Sequence, residues 1–266
     1  RIANTGDIGR PESRILRAPE PFPQCDYLIT ESTYGNRLHP HLQEAEGELL
    51  RVIRETCIER GGRVIIPSFA IGRTQEVVYA LNNFFNQGLL PKVNIYLNAD
   101  VAHVMLTDPD PFGFNSLYYI KSAEESKKLN SNKRPCVIIS ASGMMEAGRI
   151  KHHLANNIEN PNNTILAVGY CGPRTLGARI LEGAEEVSIF GVRHPVKANI
   201  ERIEAFSGHG DYSEMADYLS CQDASQVRKV FLVHGDYDAQ QAYKHTLEKK
   251  GFSQITIPFA GEEYIL

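Results

Sequence analysis

Two hydrophobic stretches each end on a histidine beside a glycine: Phe206-Ser207-Gly208-His209-Gly210-Asp211 and Phe231-Leu232-Val233-His234-Gly235-Asp236. In both, an acidic residue follows two positions after the imidazole, and the glycine lets the backbone turn sharply, so the ring projects from a strand end. Such histidines suit proton transfer or metal ligation better than core packing. Near the start, Thr5-Gly6-Asp7-Ile8-Gly9 sets an aspartate among glycines, where a carboxylate can reach a metal without steric interference. Glu31 ends the run Tyr27-Leu28-Ile29-Thr30 and precedes Ser32-Thr33-Tyr34-Gly35. That puts a carboxylate at the carboxyl end of a strand, where α/β sheets build their sites. Taken alone, Glu31 reads equally well as a solvated strand-end carboxylate or a helix cap.

Three turns have the composition to receive phosphates. They are Ser140-Ala141-Ser142-Gly143-Met144-Met145, Gly169-Tyr170-Cys171-Gly172-Pro173-Arg174-Thr175-Leu176-Gly177, and Phe69-Ala70-Ile71-Gly72-Arg73-Thr74-Gln75-Glu76. Backbone amides at a helix N-terminus bind anions, and small residues let a phosphate approach. Ser142, Gly143, Arg73 and Thr175 are the candidate phosphate contacts. The plainer readings are turn geometry for the glycines and an ion pair with Glu76 for Arg73. His39, His41, His103, His152, His153, His194 and His245 fall in predicted helices or polar loops and are read as surface or packing residues. His152 and His153 are adjacent, so they face different sides of a helix and do not share a metal.

The elements that must position these groups are legible in the periodicity. Leu42, Ala45, Leu49, Ile53 and Cys57 recur at spacings of three and four before Gly61-Gly62, which predicts an amphipathic helix within residues 39–60. Apolar runs rich in β-branched residues predict strands at 64–67, 93–97, 136–140, 164–168, 229–233 and 254–257. Helices are predicted through Val78, Leu81 and Phe85 and at 148–157, 176–182, 213–220 and 239–250. Continuous apolar strands alternating with helices imply an α/β protein with largely parallel sheets covered on both faces. The stretch 98–130 reads as loops with a helix near 122–129, and a change of pattern after Pro195 suggests a boundary near residue 200.

Composition excludes several classes. The 266 residues are 42% hydrophobic and 23% charged, as in a soluble globular protein with a sizeable core. A net charge of -4 and a pI of about 6.2 give no global basic footprint, so any nucleic-acid contact is confined to a local groove. Five cysteines without a C-x-x-C spacing argue against a disulfide framework and a cysteine zinc site, and point to a reducing cytoplasmic setting. No apolar run approaches the roughly 18 residues of a membrane span, and no signal peptide is visible, so no membrane partner is expected. Arg1 is followed at once by a Thr-Gly-Asp loop with no initiating methionine, and the expectation is a fragment.

Thr-Gly-Asp at 5–7, Glu-Ser-Thr-Tyr-Gly at 31–35, Ser-Gly-Met-Met at 142–145, Arg-Thr-Leu-Gly at 174–177, Phe-Ser-Gly-His at 206–209 and Val-His-Gly-Asp at 233–236 occur in one order. That order resembles the β-CASP branch of the metallo-β-lactamase superfamily. Within it, the chain is most similar to the bacterial and archaeal nucleases related to the endonuclease subunit of the eukaryotic cleavage and polyadenylation machinery. The resemblance implies a parallel-sheet β-CASP cap domain plus the C-terminal part of a metallo-β-lactamase αββα domain. The segments would be 1–36 (distal metallo-β-lactamase), 37–200 (β-CASP) and 201–266 (metallo-β-lactamase return). It also implies two Zn2+ ions that activate water against a phosphodiester, with Asp7 bridging the metals and His234 completing the second. His209 would protonate the leaving oxygen and Glu31 would orient it, a sound pairing because a neighbouring carboxylate favours a protonated imidazole.

By the same resemblance, histidine rather than valine at 234 favours RNA, and the expected partner is single-stranded RNA, with homodimers among the relatives. The family's H-x-H-x-D-H cluster does not occur here, and Leu97-Asn98-Ala99-Asp100 stands where relatives have Asp-Ser-Pro. Two metal ligands alone hold zinc weakly. The expectation is therefore a zinc-dependent endoribonuclease in the parent protein, inactive and nearly metal-free as this chain alone. The alternative is a non-catalytic RNA-binding or scaffold subunit, against which the presence of all four site residues counts. Hydrolysis of a small phosphodiester is a third reading, against which the long cap segment counts. The chain end at Tyr264-Ile265-Leu266 argues against the RNase J branch, which carries a further C-terminal domain.

Overall fold

The strand runs expected from β-branched composition form two separate parallel sheets in the computed structural model, which describes residues 1–70, 72–98 and 113–266. Ile71 of the arginine-bearing turn, the pair Ala99-Asp100 and His103 lie outside the described residues. The chain divides into two compact units: Arg1–His39 with Gly208–Leu266, and Pro40–Ser207.

In the first unit the strands Ile2–Asn4, Tyr27–Glu31, Lys229–Val233 and Ile255–Thr256 lie side by side in that order, every pair parallel. Register pairs Val233 with Glu31 and Asn4 with Ile29, so the carboxyl ends of three strands emerge together. Leu28, Val230 and Leu232 form a core with Met215 and Leu219 and with Tyr243 and Leu247. The helix Tyr237–Lys249 buries Ala239, Tyr243 and Leu247, one stripe at four-residue spacing. The helix Tyr212–Tyr218 starts on a capping box: Asp211 accepts from the amides of Ser213 and Glu214, and Glu214 returns to the Asp211 amide.

In the second unit six parallel strands run in the order Asn199–Arg202, Thr164–Ala167, Arg63–Pro67, Cys136–Ser140, Asn94–Asn98 and Leu117–Tyr119. The three strands Thr164–Ala167, Arg63–Pro67 and Cys136–Ser140 are buried at every position, as continuous apolar runs covered on both faces should be. The α/β, parallel-sheet architecture is the one that the sequence implies.

The departures have local causes. The long first helix is α-helical over Leu42–Ile53 and continues as a π-helical turn over Arg54–Glu59. An antiparallel hairpin, Glu186–Ile189 with Val192–Pro195, turns through Phe190 and Gly191 at φ of 54° and 79°. Its short polar strands carry no apolar run that would announce them. Leu117–Tyr119, inside the stretch read as loops, is an edge strand of three residues, too short to show periodicity. The strand Asn199–Arg202 straddles the expected boundary at 200, yet its partner is Thr164–Ala167 of the second unit, which runs on to Ser207. None of the described helices is long and apolar enough to cross a membrane.

Candidate active site

The site in the first unit is made where the parallel strands end. After Ile2–Asn4 the chain turns, with the Thr5 amide bonded to the Ile29 carbonyl at 3.0 Å, and presents Asp7 to solvent. After Tyr27–Glu31 the carboxylate of Glu31 is only 2% exposed. A buried carboxylate needs donors, and Glu31 has three. The Ile8 amide donates to Oε1, Thr33 Oγ1 donates to Oε2 at 2.5 Å, and His209 Nδ1 lies 3.0 Å from Oε2. After Lys229–Val233, His234 takes a left-handed backbone conformation at φ 51°, which turns its ring toward Asp7. Gly235 must follow, since a Cβ there would come within 2.6 Å of the Ser32 carbonyl oxygen.

His209 is held from behind. Gly210 donates its amide to the Ile8 carbonyl at 2.7 Å, and Asp211 caps the next helix while accepting the His39 amide at 2.9 Å. His39 Nε2 lies 3.1 Å from the His209 carbonyl, and its ring packs edge-on against the fully buried Tyr34 at 4.5 Å. Beside Asp211, Arg10 pairs with Glu214 at 3.0 Å.

Asp7, Glu31, His209 and His234 thus converge, with one donor atom from each inside 4.8 Å of all the others. His234 Nδ1 is 3.7 Å from Asp7 Oδ1 and 3.9 Å from Glu31 Oε2. Two carboxylates and two imidazoles are a donor set that zinc accepts. Within it the labour divides. Glu31 is already saturated by hydrogen bonds, whereas Asp7 and His234, with side chains 67% and 56% exposed, have open coordination faces. This is the cluster of its kind among the described residues, and it fits one divalent ion held at the Asp7–His234 edge, not two ions each fully ligated.

The four expected phosphate contacts in the second unit all make internal contacts. Ser142 exchanges hydrogen bonds with the Ala147 backbone, and Gly143 is required by packing, since a Cβ would meet the Phe69 ring at 2.8 Å. Thr175 caps the helix Leu176–Leu181 by accepting the Ala178 amide, and the Glu146 carboxylate takes the Leu176 amide. An anion-binding helix end is therefore already filled by the protein's own carboxylate. Arg73 is buried, donates from Nε to the Phe206 carbonyl at 3.1 Å, and lies over the Phe69 ring. Thr33, His39 and Asp211 were not singled out as site residues. Asp211-x-x-Glu214 is a readable capping signature, but nothing local marks His39 as the prop behind His209.

Parallel strands ending on a cluster of carboxylates and imidazoles define an α/β protein with a metal-competent site. Comparison with known proteins makes this specific: residues 74–180 match the Beta-Casp domain, and residues 193–258 match the Zn-dependent metallo-hydrolase RNA specificity domain. The chain belongs to the β-CASP family of the metallo-β-lactamase superfamily. It is 31% identical to a ribonuclease of Thermus thermophilus over 98% of its own length and 63% of the relative's. It is 35% identical to an RNase J-like protein of Methanocaldococcus jannaschii over 98% of its length and 64% of the relative's. To the transcription termination factor FttA of Methanosarcina mazei it is 34% identical over 90% of its length and 41% of the relative's. The chain therefore spans less than two thirds of these relatives. One of these relatives bears an RNase J-like name and matches nearly the whole chain.

Proposed function

We propose that this chain is part of a zinc-dependent ribonuclease that cuts single-stranded RNA internally. The observation that carries the reading is the Glu31–His209 pair: a carboxylate 2% exposed, 3.0 Å from an imidazole that belongs to the same cluster as Asp7 and His234. With Nδ1–H directed at Glu31, His209 keeps one ring orientation, and in this reading Nε2 passes a proton to the oxygen that leaves the phosphorus. Glu31 would stabilise the imidazolium before transfer, and its hydrogen bonds from Ile8 and Thr33 hold it in place. Asp7 and His234 are the residues that would hold zinc. Zinc bound there supplies Lewis acidity toward the phosphodiester and the attacking water.

RNA is favoured as substrate by the ribonuclease among the relatives and by the RNA specificity domain matched at 193–258. A two-metal centre needs donors beyond Asp7 and His234, and in this reading the cluster formed by the described residues does not complete one, so the chain alone is inactive. Purified without chelators, it should carry almost no zinc; two tightly bound ions per chain would overturn this division of ligands. The activity is tested on single-stranded RNA and DNA of one sequence, with the chain joined to a complete ligand set. Internal RNA products and intact DNA are expected, and equal cleavage of both would remove the RNA assignment.

A further inference from the structure

Thr33 stands where the acid pair meets the metal-facing histidine. Its Oγ1 lies 2.5 Å from Glu31 Oε2, 3.0 Å from His234 Nδ1 and 3.1 Å from the His234 carbonyl oxygen. A threonine hydroxyl has one proton to give and two lone pairs to offer. Of the two acceptor oxygens within reach, the Glu31 carboxylate oxygen and the His234 carbonyl oxygen, the carboxylate is the nearer and the stronger, so the hydroxyl proton goes to Glu31. With its proton committed to Glu31, Oγ1 can meet His234 Nδ1 only as an acceptor. Nδ1 therefore carries hydrogen. The 3.7 Å gap from Nδ1 to Asp7 Oδ1 is beyond hydrogen-bond range, so Asp7 does not compete for it.

We propose that Thr33 is a positioning residue that fixes His234 as its Nδ1–H tautomer, leaving the Nε2 lone pair for a metal, while the same hydroxyl pins Glu31 against His209. Which ring nitrogen of a ligating histidine stays free is set by the hydrogen bond that the other makes, and loss of such an outer partner weakens metal binding. β-Branching leaves Thr33 little χ1 freedom, so the hydroxyl is aimed at both partners at small entropic cost. One group thereby ties the geometry of the proton donor pair to that of the metal ligand. The metal purpose rests on the assignment of Asp7 and His234 above; the tautomer follows from the hydrogen bonds alone.

The test is long-range 1H–15N correlation of the histidine ring nitrogens in the 266-residue chain, free of metal and at about pH 8, where an ordinary imidazole is neutral. The His234 signals are identified by their loss in His234→Ala. The wild type and Thr33→Ser should show protonated Nδ1, and Thr33→Val, which keeps the shape but loses the hydroxyl, should move toward protonated Nε2. Zn2+ added alone should bind about 10-fold more weakly to Thr33→Val, with Thr33→Ser restoring the affinity. Protonated Nε2 in the wild type, or an unchanged tautomer in folded Thr33→Val, would overturn the proposal. The wild-type spectrum decides by itself if Thr33→Val does not fold. A switched tautomer with unchanged zinc affinity overturns the metal-positioning role, and His234→Ala then separates the causes: if it too binds zinc unchanged, the failure lies in the metal assignment and not in Thr33.

Discussion

Each unit contains a knot of polar side chains around a histidine, and the two knots have opposite characters. In the second unit His153 is fully buried between Asn98, Ser126 and Asn130, with Nε2 3.0 Å from Asn98 Nδ2 and from Ser126 Oγ, and Nδ1 3.1 Å from Asn130 Oδ1. No carboxylate faces the ring in these contacts. The amides fit a neutral imidazole, with Nδ1–H given to Asn130 and Nε2 accepting from Asn98. Burial above all, with lesser contributions from the charges of His152, Arg63 and Arg149, pushes its pKa down to about 4. In the first unit His209 faces the Glu31 carboxylate and His234 stands half in solvent. A histidine surrounded by neutral partners and cut off from water is structural. One that meets a carboxylate at the edge of solvent can exchange protons.

The sharpest way to break this contrast is to delete each imidazole. With the chain joined to a complete ligand set, His209→Ala should lower RNA cleavage by about 10²- to 10⁴-fold, the usual worth of a general acid, with the fold intact by circular dichroism; unchanged cleavage would end its role as proton donor. His153→Ala should do the reverse. It strands Asn98, Ser126 and Asn130 around a cavity and should cost about 2–4 kcal/mol in urea denaturation, without altering zinc binding. A similar loss of zinc from both variants would erase the distinction.

The pH dependence of stability sharpens it further. The folded His153 pKa of about 4 lies below the ordinary 6.5, so between these values the unfolded chain binds more protons than the folded one. The contribution is fully present above about pH 6.5 and declines as the pH falls, the loss reaching about 3 kcal/mol by pH 4. Denaturation midpoints across this window should follow that slope, and His153→Gln should flatten it. The smallest effect belongs to His234→Ala, whose half-exposed ring should leave stability within about 0.5 kcal/mol while the affinity for added Zn2+ falls. A large loss of stability there would mean that His234 holds the fold together.

Glu31 shows how far the sequence carries. Its place at the end of Tyr27-Leu28-Ile29-Thr30 was readable from an apolar run followed by small polar residues, and so were the strand ends before His209 and His234. Whether it was a solvated carboxylate or a site residue was not readable. That depended on the Ile8 amide and on His209, which lies 178 residues away in sequence. Arg73 and Thr175 illustrate the converse. Their composition suits phosphate, and the sequence could not show that the Phe206 carbonyl, the Phe69 ring and the turn's own backbone hold them internally. His153 looked like any other helical histidine, because Asn98, Ser126 and Asn130 come from a strand and a different helix.

By itself the sequence determined the parallel α/β class, the strand ends and the residue types available at them, since periodicity and glycine placement are local properties of a chain. Tertiary structure alone decided which carboxylate is buried, which histidine it meets, which ring nitrogen is engaged and which turns are filled. Those outcomes follow from register between strands far apart in sequence, where the pairing of Val233 with Glu31 brings His234, Thr33 and the Glu31 carboxylate into one hydrogen-bonded group.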